Sequence, residues 1–234
     1  MATFEAQVEG LTGLSIDGSS APTQTELTQF LTDGAKEVLN SLPRSRQEMF
    51  TTSNELNSSS VSLTLLGSEV FSVTRDDGTI NQPCRKVLAS LNGRIRDSGD
   101  MMAATATDPA YYIVNNILSV VPEPSNSNNA HVQTLAYPAV AFGDSAVAKF
   151  PDDGEYLIPL YASIKSLQNA IETTRALSNV QFDSSVTANT AEDIELASSH
   201  INAGNAYLSE IVSMEKQQAK LQADYEKGLA QLVR

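Results

Sequence analysis

The spacing of apolar residues changes period twice along this chain, and that switch restricts its fold more than any other feature. Between residues 23 and 42, Leu27, Phe30, Leu31, Ala35, Val38, Leu39 and Leu42 recur at three- and four-residue steps, one face of a helix. Thr23 and Glu26 precede it in the T-x-x-E spacing, in which each side chain accepts the other's backbone N–H. Pro43 ends the run, because proline has no N–H to donate. After Asn57-Ser58-Ser59-Ser60 the period falls to two: Val61, Leu63 and Leu65 alternate with Ser and Thr, and Val70, Phe71 and Val73 follow. Beyond residue 150 the helical period returns in Leu157, Leu160, Tyr161, Ile164, Leu167 and Ile171. The pattern predicts an α+β fold, a helical bundle interrupted by an inserted antiparallel β domain, with a long C-terminal helix.

Inside the insertion, Asp76-Asp77-Gly78 reads as a tight turn. Tyr111 to Val114, Asn115-Asn116 and Ile117 to Val121 read as a hairpin, since Asn tolerates the positive φ of a two-residue turn. Pro122-Glu123-Pro124 stops it, and residues 79–91 hold Pro83, which suits an edge strand or an irregular crossing. Residues 131–137 and 135–142 read as further strand, for about five to seven strands in all. Residues 44–56 read as a second short helix through Met49, Phe50 and Leu56. At the amino end Phe4, Ala6 and Val8 alternate with polar residues, an edge strand on an exposed arm or a frayed end.

The return to helix is marked by Phe150-Pro151-Asp152-Asp153. Proline is pre-set for a first helical turn, and Asp152, Asp153 and Glu155 place negative charge at the positive end of the dipole. Pro159 means that the helix proper begins near it or that its first turn is kinked. A Ser/Asn/Thr-rich stretch, 178–189, reads as a linker, and Thr190 with Asp193 as a helix start. From Ile194 onward there is no proline, and Ala197, Ile201, Gly204, Leu208, Ile211, Met214, Leu221, Tyr225, Leu229 and Leu232 come close to a heptad, weakened by Gly204, Gln218 and Gln222. One helix of about 40–45 residues would span roughly 60–65 Å. It would pack on copies of itself or reach into a neighbouring assembly, unless it breaks into two near Gly204. The expected division is an arm 1–21, bundle 22–56, β domain 57–142, bundle 143–177, and linker with long helix 178–234.

Composition excludes several functions. The formal charge of −13 disfavours tight binding of nucleic-acid phosphates. Arg85, Lys86, Arg94 and Arg96 form the one basic cluster, read mainly as a solvated loop pairing with Asp97 and Asp100, otherwise as a contact to an acidic neighbour or to DNA. No apolar run is long enough for a membrane helix, and the first residues lack the pattern of a signal peptide. The single Cys84 has no internal disulfide partner, and His131 and His200 lack metal or nucleophile spacing. No phosphate-binding or nucleophile-elbow motif is present. The acidic pairs Asp76-Asp77 and Asp152-Asp153 read as turn and helix-start chemistry, with Ca²⁺ at the first pair left open. The expectation is no enzyme, no cofactor and no metal site.

Several stretches resemble head-to-tail adaptor (connector, neck) proteins of tailed bacteriophages of marine type. The carriers are FPDDGEYLIPLYASIKSLQNA after the β segment, SSAPTQTELTQFLTDGAKEVLNSLP before it, and RKVLASLNGR and ATDPAYYI within it, covering most of residues 3–177. Asp152, Glu155, Tyr156 and Ala162 fit that family's helix-opening pattern, and Pro159 departs from it. The resemblance implies a virion structural protein assembled in host cytoplasm and located in the neck. It would be one of about twelve subunits in a ring between the portal protein and a tail or nozzle protein, through which genomic DNA slides without specific binding. Candidate portal-docking or subunit-packing residues are Ile201, Leu208, Ile211, Leu221, Tyr225 and Leu229. Candidate bundle-core residues are Leu27, Phe30, Leu31, Val38, Leu157, Tyr161, Ile164 and Leu167. The alternative is a tail-fibre or receptor-binding module on a C-terminal coiled-coil trimer. A lysin-like hydrolase ranks last.

Overall fold

The computed structural model describes residues 2–185 and 191–232. Its helices are α1 (Phe4–Thr12), α2 (Gln24–Ser41), α3 (Arg44–Gln47), α4 (Asn92–Arg96), α5 (Asp152–Glu155), α6 (Leu157–Ser185) and α7 (Ala191–Leu232). Its strands are β1 (Thr51–Leu56), β2 (Ser62–Thr64), β3 (Val70–Asp76), β4 (Asn81–Pro83), β5 (Arg85–Lys86), β6 (Ala110–Val114), β7 (Ile117–Val121) and β8 (Ala130–Leu135). The class is α+β, as the change of period requires. A helical unit, Met1–Pro43 with Tyr137–Arg234, is interrupted by a β unit, Arg44–Ala136, where the sequence pattern set the insertion at 57–142.

The amino end is a helix, not an edge strand. Phe4 and Val8 are four apart as well as alternating, and the helix buries both while Ala6 faces solvent. Thr3 caps α1 by accepting the Ala6 N–H, and Gly13 closes it at φ 73 with its N–H on the Glu9 carbonyl. The N–H groups of Phe4 and Glu5 donate to the carbonyls of Asp144 and Phe142 at 2.7 and 3.0 Å, so the arm is docked.

Helix α2 has the anticipated capping box: the Thr23 N–H donates to Glu26 Oε2 at 2.8 Å, and the Glu26 N–H to Thr23 Oγ1 at 3.3 Å. Leu27, Leu31, Ala35, Val38 and Leu39 are buried beneath it. Residues 136–142 form no strand. Their backbone is held by α2 threonines: Val140 N–H donates to Thr32 Oγ1 and Phe142 N–H to Thr28 Oγ1, each at 3.3 Å. Side-chain hydroxyls satisfy the groups that a sheet ladder would otherwise have to.

Helix α6 begins at Leu157, so Pro159 falls in its first turn, where the missing N–H has no partner to lose. The helix contacts α1, α2 and α7. That enclosure explains why Ala162, Ser163 and Ser166 are buried alongside Leu160, Ile164 and Leu167. It also continues through the first part of the expected linker, to Ser185; residues 186–190, with the expected cap Thr190, lie outside the described residues. Composition misleads there because a serine helix packs closely: Ser178 is buried, and its hydroxyl donates to the Gly204 carbonyl at 3.4 Å.

Helix α7 runs without a break at Gly204 and folds back antiparallel on α6. Contacts step steadily along the pair: Ser178 with Gly204, Arg175 with Glu215, the Ile164 carbonyl with Gln218, Tyr161 with Tyr225. The 42-residue helix is therefore a hairpin arm on its own chain rather than a free projection.

In the β unit two four-stranded sheets, ordered β1-β8-β3-β4 and β2-β7-β6-β5, face each other. Leu56, Val73, Ala130 and Val132 from the first pack against Leu65, Leu118 and Val120 of the second. Only β5–β6 is parallel. Asn115 and Asn116 take φ 50 and 61 in the β6–β7 turn, and Pro83 sits on edge strand β4. Residues 44–56 are mostly not helical: after α3 and one turn at Glu48–Phe50, β1 pairs along its whole length with β8. Thr51, Thr52, Ser53 and Asn54 are poor helix formers, and the partner that decides the matter is distant in sequence. On its other face the second sheet is covered by Ile95 of α4, against Ala110, Tyr112 and Val121.

Candidate interaction surfaces

The six α7 residues proposed as an interface separate into two stripes. Ile211, Leu221 and Tyr225 are buried within the chain, as is Met214, on the side of α7 that faces α6. Ile201 and Leu208 lie one step round the helix and are 42% and 45% exposed, with Val212 beside them at 48%; Leu229 is half-buried. The spacing is heptad in both stripes, and only the first is covered. Of the bundle-core candidates, Leu27, Leu31, Val38, Leu157, Ile164 and Leu167 are buried, whereas Phe30 and Tyr161 are half-buried.

Close approach of α6 and α7 depends on small residues. A Cβ at Gly228 would collide with Leu157 Cδ2, and one at Gly34 of α2 would meet Tyr161 Cδ1 at 3.0 Å. The rings of Tyr161 and Tyr225 lie 5.8 Å apart. The Tyr225 hydroxyl is buried, and burial, then the neighbouring Glu37 carboxylate, push its titration well above the ordinary phenol range.

The arginine cluster is neutralised within the β unit. Arg85 donates to Asp108 at 3.0 Å and to the Met102 carbonyl at 2.6 Å. Arg94 grips Asp100 through two nitrogens, and Arg96 pairs with Glu123 at 2.9 Å. Asp100 is the anticipated partner; Asp97 instead accepts the Gly99 N–H. These ties fasten α4 and the loop after it, which leaves three of the four basic side chains little to offer phosphate. A buried Arg75 spans both sheets, donating to the carbonyls of Pro122, Asp76 and Glu123.

Other reactive residue types are also engaged. Burial pushes the Cys84 thiol up to about 12, so it is not a thiolate at neutral pH. His131 is half-buried on β8 between Glu55 and Thr74; the side chain of His200 lies outside the described residues. Asp76 and Asp77 accept the N–H groups of Gly78, Thr79 and Ile80, which is turn chemistry. Among the described residues no three His, Cys, Asp or Glu side chains gather as a metal ion would need, and no helix is long and apolar enough to cross a membrane. A cleft of about 460 Å³ lies between the start of α6 and the end of α7, lined by Tyr156, Leu157, Asp224, Lys227 and Gly228.

One surface escaped sequence reading. The turn after β2 places Leu66 at φ 48 and Gly67 at φ 85, closed by the Ser68 N–H on the Leu65 carbonyl at 2.7 Å. Leu65 N–H donates to the Asn116 carbonyl at 2.8 Å, so this turn abuts the β6–β7 turn. Leu66 is 87% exposed there, with Val114 and Ile117 part-exposed beside it. The signal in the sequence is Leu-Gly where an Asn-Gly turn would be ordinary.

Charge divides unevenly. The β unit holds nine of the 28 carboxylates and seven of the 15 Lys and Arg, so the acidic excess sits almost wholly in the helical unit. No protein family matches the chain, and no curated protein matches it.

Proposed function

We propose that this chain is a virion structural protein, a subunit of the head-to-tail adaptor ring between portal and tail of a tailed phage. The observation that carries this reading is the chain order. A helical unit is opened between α2 and α6 to admit a β sandwich, and the return carries the FPDDGEYLIPLYASIKSLQNA segment that resembles the adaptor family. The concentration of carboxylates in the helical unit fits a passage that DNA slides through, since a wall of like charge does not grip phosphate. Association would draw on apolar burial over heterologous contacts that close a ring. Portal docking or subunit packing would fall to the outward side of α7, because its seam is already covered by α6. For the same reason a fibre trimer through α7 is disfavoured: Ile211, Leu221 and Tyr225, which it needs, are engaged within the chain. The protein acts by fitting rather than by catalysis in this reading. Light scattering of the purified chain, with a count of copies per virion by quantitative mass spectrometry, tests it. About twelve copies support the ring; a free trimer with a matching multiple of three overturns it in favour of the fibre.

A further inference from the structure

We infer that two copies of this chain pair side by side through strand β1, antiparallel about a two-fold axis at Ser53, so that the first sheet of one β unit continues into that of the other. The contact joins like surface to like, unlike the heterologous contacts that would close a ring, and it does not rest on the adaptor reading.

Strand β1 is the outer strand that the fold leaves open. Each sheet ends in two outer strands, β1 and β4 in the first, β2 and β5 in the second. Strands β2 and β4 are three residues long and β5 two, and β4 carries Pro83. Shortness and proline blunt those edges. β1 has six residues, no proline, no lysine and an unbroken register against β8. The Ala136 N–H donates to the Phe50 carbonyl, and the Leu135 N–H turns the other way, to the Glu69 carbonyl. By the antiparallel alternation Thr52, Asn54 and Leu56 bond to β8, while Thr51, Ser53 and Glu55 direct their backbone groups outward. The Thr51 N–H is spent on the Glu48 carbonyl. Among the described residues nothing bonds to the N–H or carbonyl of Ser53 or Glu55, and both residues are exposed.

A second copy of β1 supplies the complement. With Ser53 facing Ser53 across the axis, each donates its N–H to the other's carbonyl, and each Glu55 N–H reaches the carbonyl of the opposite Thr51. Charge fixes this register. Glu55 then faces Thr51, and the two Glu55 residues stand roughly 14 Å apart, four residues along the strands. A slide of two residues toward Glu55 would form as many bonds but make the two carboxylates diagonal neighbours at about 7–8 Å. A slide toward Thr51 would lose bonds, because that N–H is already engaged. Residues 51–55 are all polar, so the edge has no apolar pocket to read the side chains of a foreign peptide, and backbone register is what it can recognise. The β unit adds little repulsion, since its charge is nearly balanced.

The test uses the full chain, by sedimentation over a range of concentrations and by cysteine pairing. The parent is expected to dimerise as concentration rises. Ser53→Pro removes a donor that the chain itself does not use, so it should keep its thermal midpoint within a few degrees and weaken the dimer about tenfold or more. A parent that is monomeric at every concentration, or a folded Ser53→Pro with unchanged association, overturns the pairing. Cysteine pairing decides the matter should Ser53→Pro fail to fold. Under mild oxidation Ser53→Cys should cross-link to itself, because facing Cα atoms in such a pair lie about 5.5 Å apart, within disulfide reach. Glu55→Cys alone should not, nor should the parent, whose one thiol is Cys84; Glu55→Cys mixed with Thr51→Cys should. Equal cross-linking of Ser53→Cys and Glu55→Cys, or none of Ser53→Cys, overturns the pairing and leaves the edge to an extended segment of another protein. The ring is read separately. Species of about twelve copies without a cross-link in Ser53→Cys keep the ring and overturn this contact, whereas the cross-link with a different count in virions keeps the contact and removes the ring.

Discussion

The helical unit and the β unit are held together by different means. In the helical unit, α6 is enclosed by three helices, and contact depends on shape: glycines at 34 and 228 and serines at 163 and 178 let backbones and rings approach. In the β unit the core is smaller, and polar ties carry more: Arg75 on three carbonyls, Arg85 and Arg94 on the loop after α4, and Asp77 on its own turn. The first arrangement tolerates little change of volume. The second tolerates volume better and depends on charges keeping their partners.

Four experiments press on that contrast. Tyr225→Ala removes a buried ring from the seam and should cost about 3–5 kcal/mol, as read from urea midpoints; hydrogen exchange should place the loss in α6 and α7. A loss below about 1 kcal/mol would mean that the seam is not the main support of the unit. Gly228→Ala should cost about 1–3 kcal/mol, because Leu157 must move. Thr23→Ala should cost about 1 kcal/mol by opening the capping box. At the lower end, Asp100→Asn should lower the urea midpoint less than any of these, since its partner Arg94 is exposed; a loss as large as that of Thr23→Ala would mean that the loop ties matter more than exposed ion pairs usually do.

Acid should act on both units. The backbone and side chain of Thr23 hold the Glu26 carboxyl below its usual range, and Gln82 with the turn amides does the same for Asp77. A folded-state value below the unfolded one contributes stability above the unfolded value, and that contribution is lost as pH falls through the folded one. Glu26→Gln keeps a capping box but should remove its share of the acid loss, seen as a shallower fall of the urea midpoint below pH 4. Cys84 runs the other way: its raised value contributes stability below the unfolded thiol's value, lost as pH climbs toward about 12. Thiol-reagent labelling at pH 8 should accordingly be slow in the folded chain and fast in urea.

Local chemistry was legible in the sequence where a feature completes itself within a few residues. The Thr23–Glu26 box, the Asn115-Asn116 turn and the edge position of Pro83 needed no distant partner. Features fixed by tertiary contacts were not. Phe4 and Val8 satisfy both periods, and docking on the 142–144 loop selects helix. β1 is a strand because β8 lies beside it. The serine-rich 178–185 segment is helical in the structure, and Ser178 lies against Gly204 of α7. The α7 heptad was visible, but not which of its two stripes α6 would cover, since that depends on register between helices. Leu66 was missed because exposure and φ are properties of the folded turn, not of the residue name.

The hydrogen bond from the Tyr137 hydroxyl to Asn40 Oδ1, at 2.8 Å, has an evolutionary consequence. It joins the two places where the chain leaves and re-enters the helical unit, so the intervening residues 44–136 behave as a cassette. A short Gly-Ser link in their place would close a small loop at modest entropic cost. A lineage could therefore trade one β module for another, changing what the protein meets at its surface, without having to reinvent the scaffold that presents it.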